Sequence, residues 1–166
     1  EDAYRDYKRS VRDGYSLDKL SPYLDEEITI QLADIYEEDP VTLWGTSVYS
    51  SWEKVEPGDI ALIYRDGRYI ARADVAYQTH NYDLGKELYD LPDHPWDEDD
   101  PWEYLTFLTD VQDIDLDIIE FNRLVGYADD HFPQGYTRVA DDRIDQLQDD
   151  YKSVEAAIAE LTDTRG

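Results

Sequence analysis

The chain has 166 residues, with 41 acidic and 15 basic side chains and a formal net charge of −26. Cysteine is absent, which excludes disulfide bonds, thiolate metal sites and catalysis by a thiol. Because 41% of the residues are apolar and 13% are aromatic, the composition excludes a disordered chain and predicts one folded domain, with or without an appended helix.

The first part of the chain is predicted to be helical. Apolar side chains recur at helical spacing in residues 1–13, and Ser16 is placed to cap a short helical turn. Asp25 is placed to cap a longer helix, which Pro40 ends. We therefore expect residues 1–40 to form a helical extension.

Short strands are predicted in the next part of the chain. Val41–Trp44 has the composition of a strand, and Ile60–Tyr64 follows a Pro-Gly-Asp turn. Asp66-Gly67 is the sequence signal of a two-residue hairpin loop with a type I′ turn. The strand that begins at Arg68 is therefore expected to pair with Ile60–Tyr64 in antiparallel fashion.

The second half of the chain is predicted to combine loops, strands and helices. Residues 78–101 are expected to be a polar loop with short helical turns. The other predicted elements are the strands Glu103–Leu108, Val111–Leu116 and Tyr136–Val139, and the helices Ile118–Val125 and Asp141–Leu161. The last helix carries its apolar residues in a heptad-like pattern.

Together these elements predict an α+β fold, in which helices flank a small curved sheet or barrel of mainly antiparallel strands. The expected domain organisation follows the same boundaries. A barrel over residues 41–140 lies between the helical extension, residues 1–40, and a long C-terminal helix over residues 141–166.

The acidic excess is spread along the whole chain, and residues 41–90 are its least acidic part. Such a distribution is typical of a halophilic protein, which charge repulsion keeps soluble in concentrated salt. No apolar run reaches the length of a membrane span, and no signal peptide is visible. We therefore expect a cytoplasmic protein that makes no contact with a membrane.

Sequence motifs of catalysis and metal binding are absent. There is no phosphate-binding glycine loop, no G-x-S-x-G and no H-E-x-x-H. His80, His94 and His131 are dispersed, and the acidic residues 97–100 are more simply explained as a solvated loop than as a metal site. We expect a binding domain with no catalytic residue, metal or cofactor.

The four tryptophans are the most informative residues, and they lie at positions 44, 52, 96 and 102. Trp44 ends a predicted strand directly before Gly-Thr-Ser, while Trp96 and Trp102 flank an acidic loop. Indole rings at strand ends can form a stacking pocket for a flat ligand, or they can complete the core of a barrel. The sequence pattern leaves both interpretations open.

Two segments, Leu-Trp-Gly-Thr-Ser at 43–47 and Val-Glu-Pro-Gly-Asp-Ile-Ala-Leu-Ile-Tyr at 55–64, resemble the EVE and YTH branch of the PUA superfamily. Trp102–Leu108 and the Gln-Gly-Tyr at 134–136 fit the same pattern, so the resemblance covers residues 40–140. It implies a small β-barrel that takes a methylated base out of its strand into an aromatic cage. Relatives serve as the N-terminal recognition domain of modification-dependent restriction systems of the McrB type.

The resemblance also implies a set of binding residues. Trp44 is one wall of the cage, and the base edge is contacted by the three residues that follow it: Gly45, Thr46 and Ser47. The second wall comes from the aromatic residues of the later loop region: Tyr89, Trp96 and Trp102. Five basic side chains in or near the least acidic segment are candidates for phosphate contacts: Arg65, Arg68, Arg72, His80 and Lys86.

The leading hypothesis is a non-enzymatic reader of methylated DNA, the specificity domain of a restriction or defence protein. The resemblance favours N6-methyladenine, with 5-methylcytosine as the second choice, and it implies a downstream ATPase or nuclease as a domain or subunit. Two alternatives stay open. One is a reader of a modified base in RNA, and the other is a protein-interaction adaptor without a nucleic-acid ligand.

Overall fold

The computed structural model of the chain describes residues 7–90, 98–99 and 101–131. The helical elements are a π-helical segment Tyr7–Asp13, α1 Leu17–Leu20, a 3₁₀ turn Ser21–Tyr23, α2 Glu26–Tyr36, α3 Tyr49–Trp52, α4 Tyr82–Tyr89 and α5 Ile118–Val125. The strands are β1 Thr42–Thr46, β2 Ile60–Arg65, β3 Arg68–His80 and β4 Tyr104–Asp117. The predicted α+β fold is confirmed.

The four strands form one antiparallel sheet in the order β1-β4-β3-β2. Strands β2 and β3 are joined by the predicted hairpin turn, in which Asp66 has φ 51° and Gly67 has φ 83°. Positive φ angles at both central residues define a type I′ turn, so the prediction from the Asp-Gly pair is confirmed. Among the described strands, β1 lies at the other edge of the sheet.

Two parts of the sequence form longer elements than the local pattern predicted. Residues 104–117 form one continuous strand of 14 residues, because pairing continues across Asp110, which adopts a positive φ of 52°. The predicted polar loop contains the helix α4, whose N-cap Asn81 accepts a hydrogen bond from the backbone N–H of Leu84 (2.9 Å). Tertiary packing of four buried residues in α4 outweighs its polar composition.

The chain divides into two compact units, of which the first comprises the described residues up to Asp59 together with Asp74–Val111. Its core contains the buried side chains Leu20, Leu32, Tyr36, Val41, Leu43, Leu84, Leu88, Tyr89, Leu105 and Phe107. The Tyr36 hydroxyl donates a hydrogen bond to the carbonyl oxygen of Leu108 (2.6 Å), and its burial raises the pKa of this phenol. This hydrogen bond connects helix α2 to the part of β4 that belongs to the first unit.

The second unit comprises Ile60–Ala73 and the described residues from Gln112 onward. Its core contains Tyr69, Leu116, Ile118, Phe121 and Val125. Helix α5 has the predicted bounds, since the Asp117 side chain caps its N-terminus and Gly126 ends it in a left-handed conformation. Burial raises the pKa of Tyr69 to about 12.

Several predicted features lie outside the described residues: Trp96, the strand Tyr136–Val139 and the helix Asp141–Leu161. The predicted domain boundaries at residues 40 and 140 stay predictions. In the part of the chain that the structure describes, no helix is both long and apolar enough to cross a membrane.

Candidate nucleic-acid interface

The pairing of β1 with β4 sorts the predicted site residues onto the two faces of the sheet. Trp44 pairs with Thr106, and Thr46 pairs with Tyr104. Because side chains alternate along a strand, these four residues share one face. The opposite face carries the alternate pairs, Leu43 with Phe107 and Gly45 with Leu105. Of these residues, Leu43, Leu105 and Phe107 belong to the core of the first unit.

Trp44 and Trp102 lie side by side. Their ring centroids are 5.8 Å apart, the rings are inclined by 47°, and both side chains are half-buried. The Trp102 ring also lies 5.2 Å from the ring of Tyr89 and packs against the core. We call Trp44 and Trp102 the tryptophan pair. The structure brings together two of the predicted cage residues. It places Trp44 in the middle of β1 and not at the end of the strand, because pairing with β4 continues to Thr46.

Tyr89 lies against Trp102 and is only 3% exposed. Its hydroxyl oxygen accepts a hydrogen bond from the backbone N–H of Gly45 (2.9 Å). A Cβ atom at position 45 would lie 2.6 Å from the Tyr89 ring, so glycine is needed there for the ring to approach. Tyr89 therefore supports the backbone next to Trp44 and covers an amide of the edge strand.

The three predicted base-edge residues differ in exposure. Gly45 and Thr46 are buried, while Ser47 is half-buried in the bend that follows β1. The Thr46 hydroxyl accepts a hydrogen bond from the backbone N–H of Val48 (3.1 Å). The Ser47 carbonyl oxygen accepts a hydrogen bond from the backbone N–H of Tyr49 (3.1 Å), and Ser47 is the most accessible of the three because Gly45 and Thr46 are buried.

A second aromatic group lies on the same face of the sheet, around Tyr104. The ring centroids of Tyr49, Trp52 and His80 are 5.2 Å, 5.1 Å and 4.8 Å from the Tyr104 centroid. The imidazole of His80 is nearly parallel to the Tyr104 ring, at 23°. Burial raises the pKa of the Tyr104 hydroxyl, and the neighbouring Glu103 raises it further. We call Tyr49, Trp52, His80 and Tyr104 the Tyr104 cluster.

Sequence reasoning did not predict the Tyr104 cluster. Tyr49 and Trp52 are three residues apart, which is a local signal that they share one side of a short helix. Their contact with Tyr104 depends on strand register and on two anchors of Trp52. Its indole N–H donates to the carbonyl oxygen of Leu105 (3.1 Å), and its own carbonyl accepts from the Gln78 amide (3.2 Å).

The predicted phosphate contacts face carboxylates. Carboxylates lie beside Arg65 (Asp66, 3.7 Å), Arg68 (Asp115 and Asp117), His80 (Glu103, 3.0 Å) and Lys86 (Glu98, 3.5 Å). Arg72 is half-buried in β3. Each carboxylate lowers the positive potential that would attract a phosphate. Within the described residues, no three acidic or histidine side chains come together as a candidate metal site.

Comparison with known proteins finds a solved structure with a similar fold, but no matching sequence family. No protein-family model and no curated protein matches the chain. The sheet and its helices form a PUA-like fold, which agrees with the resemblance seen in the sequence. Among solved structures the chain matches the N-terminal domain of Thermococcus gammatolerans McrB bound to m5C DNA, with a TM-score of 0.64 and 22% identity. The match covers 92% of this chain and 91% of that chain.

Proposed function

We propose that this chain is a non-catalytic domain that binds DNA containing a methylated base, and that the tryptophan pair holds this base. The observation that carries the proposal is the contact of Trp44, in β1, with Trp102, in a fold shared with a domain that was solved bound to m5C DNA. In this role the domain would supply the specificity of a restriction or defence protein that has a downstream ATPase or nuclease.

The geometry of the tryptophan pair implies that the site opens when it binds. Stacked bases are about 3.4 Å apart, so two rings that hold a base between them are about 7 Å apart and parallel. The centroids of Trp44 and Trp102 are 5.8 Å apart and the rings are inclined by 47°. Entry of a base therefore requires the rings to separate by about 1 Å and to turn parallel.

The energies of such a site favour a methylated base that has been flipped out of its strand. Stacking contributes about 1–3 kcal/mol per base, and extrusion of the base costs a few kcal/mol. Burial of the methyl group adds about 0.8 kcal/mol, which corresponds to about fourfold tighter binding than to the unmethylated base. A neutral methylated base has no positive charge, so stacking and shape are the main contributions.

The identity of the methylated base is the finer part of the proposal. The sequence resemblance favours N6-methyladenine, whereas the DNA bound by the structural neighbour contains m5C. Both bases present a methyl group and a flat ring to the tryptophan pair. A comparison of matched DNA duplexes that carry one or the other decides between them.

The test is a fluorescence anisotropy titration in concentrated KCl. The probes are matched DNA duplexes that contain N6-methyladenine, 5-methylcytosine or neither, together with RNA of the same sequence. We expect at least about fourfold tighter binding to one methylated DNA. Equal binding across the set would contradict the proposal. Tighter binding to the RNA than to any DNA would identify RNA, and not DNA, as the ligand.

The variant Trp44→Ala tests the site itself. We expect it to remove the preference for the methylated probe, because half of the stacking surface is lost. Trp44→Phe keeps a ring and is the matched control, with most of the preference retained. Circular dichroism of both variants checks that they fold. An unchanged preference in Trp44→Ala would show that the methyl group is read elsewhere.

A further inference from the structure

The Tyr104 cluster has an accessible surface that the proposed methylated-base site does not use. Tyr49 is 51% exposed, and the side chain of His80 is 53% exposed. One face of the imidazole lies on Tyr104, so its exposed area is mainly the opposite face. Rings that only completed a core would be buried, whereas these rings present flat surface to solvent.

The His80 ring is held in a fixed orientation. Its Nε2 atom lies 3.0 Å from the Glu103 carboxylate, whose side chain is only 17% exposed. The ring plane is set by the stack on Tyr104. With its polar edge on a carboxylate and one face on a phenol ring, the imidazole is better placed to stack on a ligand than to contact a phosphate.

The register of the sheet places the Tyr104 cluster next to the tryptophan pair. Trp44 pairs with Thr106 and Thr46 pairs with Tyr104, so Trp44 and Tyr104 are diagonal neighbours on one face. Such neighbours have Cα atoms about 7–8 Å apart. A nucleotide next to the one whose base lies at Trp44 is therefore within reach of Tyr104 and His80.

We propose that the Tyr104 cluster is a second stacking site, which takes an unpaired base adjacent to the methylated base. This inference rests on the proposed function, because the same strand supplies both bases. When a base is flipped out, its neighbour loses a stacking partner. The exposed rings of His80 and Tyr49 replace that partner, and they do so for any base because every base has a flat face.

The experiment uses the duplexes described above in two forms, with the neighbour of the methylated base either paired or placed opposite an abasic site. We expect Tyr49→Ser and His80→Ser to weaken binding of the unpaired form about tenfold and the paired form less. The preference for the methylated base stays unchanged. Tyr23→Ser is the matched control, because Tyr23 is also a partly exposed tyrosine, at 36%, and it lies outside the cluster.

Two further readouts separate stacking from a phosphate contact. His80→Phe retains a flat ring without a charge, so stacking predicts that it binds like the unaltered protein. If His80 only stacks on a base, the variant His80→Ser keeps the slope of log affinity against log salt concentration unchanged. A phosphate contact would instead leave His80→Phe as weak as His80→Ser and reduce the slope by about 1. That result would overturn the inference.

The inference and the proposed function fail in different ways. Loss of methyl preference in Trp44→Ala reports on the tryptophan pair, while the affinity of Tyr49→Ser reports on the Tyr104 cluster, even with unmethylated probes. Normal binding by both Tyr49→Ser and His80→Ser, or an equal loss for paired and unpaired probes, would overturn the second stacking site. Circular dichroism confirms that each variant folds.

Discussion

The hydroxyl of Tyr89 and the backbone of Gly45 join two parts of the chain that are 44 residues apart. The ring of Tyr89 fits only because position 45 has no side chain, and its hydroxyl pairs with an amide of an edge strand. The same ring lies against Trp102, so one buried tyrosine supports both members of the tryptophan pair. At the residue scale, Tyr89 is thus a positioning residue for the proposed site.

The variant Tyr89→Phe tests this contact. It leaves the buried N–H of Gly45 without its acceptor, which costs about 1–3 kcal/mol, so we expect the free energy of unfolding to fall by that amount. Urea denaturation followed by circular dichroism measures it. Tyr23→Phe, at a partly exposed tyrosine, is the control and should change stability by less than about 0.5 kcal/mol. An equally small effect of Tyr89→Phe would contradict the role of the hydroxyl.

At the scale of elements, helix α5 shows how strongly local caps define a helix. The Asp117 carboxylate accepts a hydrogen bond from the backbone N–H of Ile119 (2.8 Å), and it also lies 3.4 Å from Arg68. At the other end, Gly126 adopts the left-handed conformation, with φ 82°. Both signals are visible in the sequence, which explains why the predicted bounds of α5 are correct.

Substitution of the α5 cap separates the hydrogen bond from the ion pair. We expect Asp117→Ala to lower the free energy of unfolding by about 1 kcal/mol, because an N–H group at the helix start loses its acceptor. Asp117→Asn keeps an acceptor and removes the charge, so most of the stability should remain. Urea denaturation measures both variants. If Asn is as destabilising as Ala, the ion pair with Arg68 is the more important contact.

At the scale of the whole molecule, the net charge of −26 opposes both folding and contact with DNA. The basic side chains that were predicted to contact phosphate offset this negative charge only weakly, since four of them lie beside carboxylates. Salt screens this repulsion, because the Debye length falls from about 10 Å at 0.1 M to about 3 Å at 1 M. Binding is therefore expected to rest on stacking and shape.

We expect KCl to stabilise the protein. The melting temperature should rise between 0.1 M and 1 M KCl and then level off, because screening is nearly complete at 1 M. Differential scanning fluorimetry measures the melting temperature. NaCl serves as the control, since simple screening predicts the same curve for both salts. A melting temperature that is constant or falls with salt would contradict a halophilic protein.

The sequence by itself determined the features that depend on neighbouring residues. The hairpin at Asp66-Gly67 and the bounds of α5 follow from local backbone preferences and caps, and the order of strands and turns was enough to indicate the fold. The position of Trp44 before Gly-Thr-Ser was likewise visible in the sequence. Helix α4 and the full length of β4 were not predicted, because their residues gain stability from packing and pairing with distant parts of the chain.

Only the tertiary structure decided which side chains meet at the proposed site. Tyr89 was a cage candidate in the sequence, and the structure places it against Trp102, with its hydroxyl bonded to the N–H of Gly45. His80 was a phosphate candidate, and the structure stacks it on Tyr104. Both contacts depend on the register and order of the strands, which bring distant residues together. No local pattern in the sequence contains that information, because it is set by the packing of the whole core.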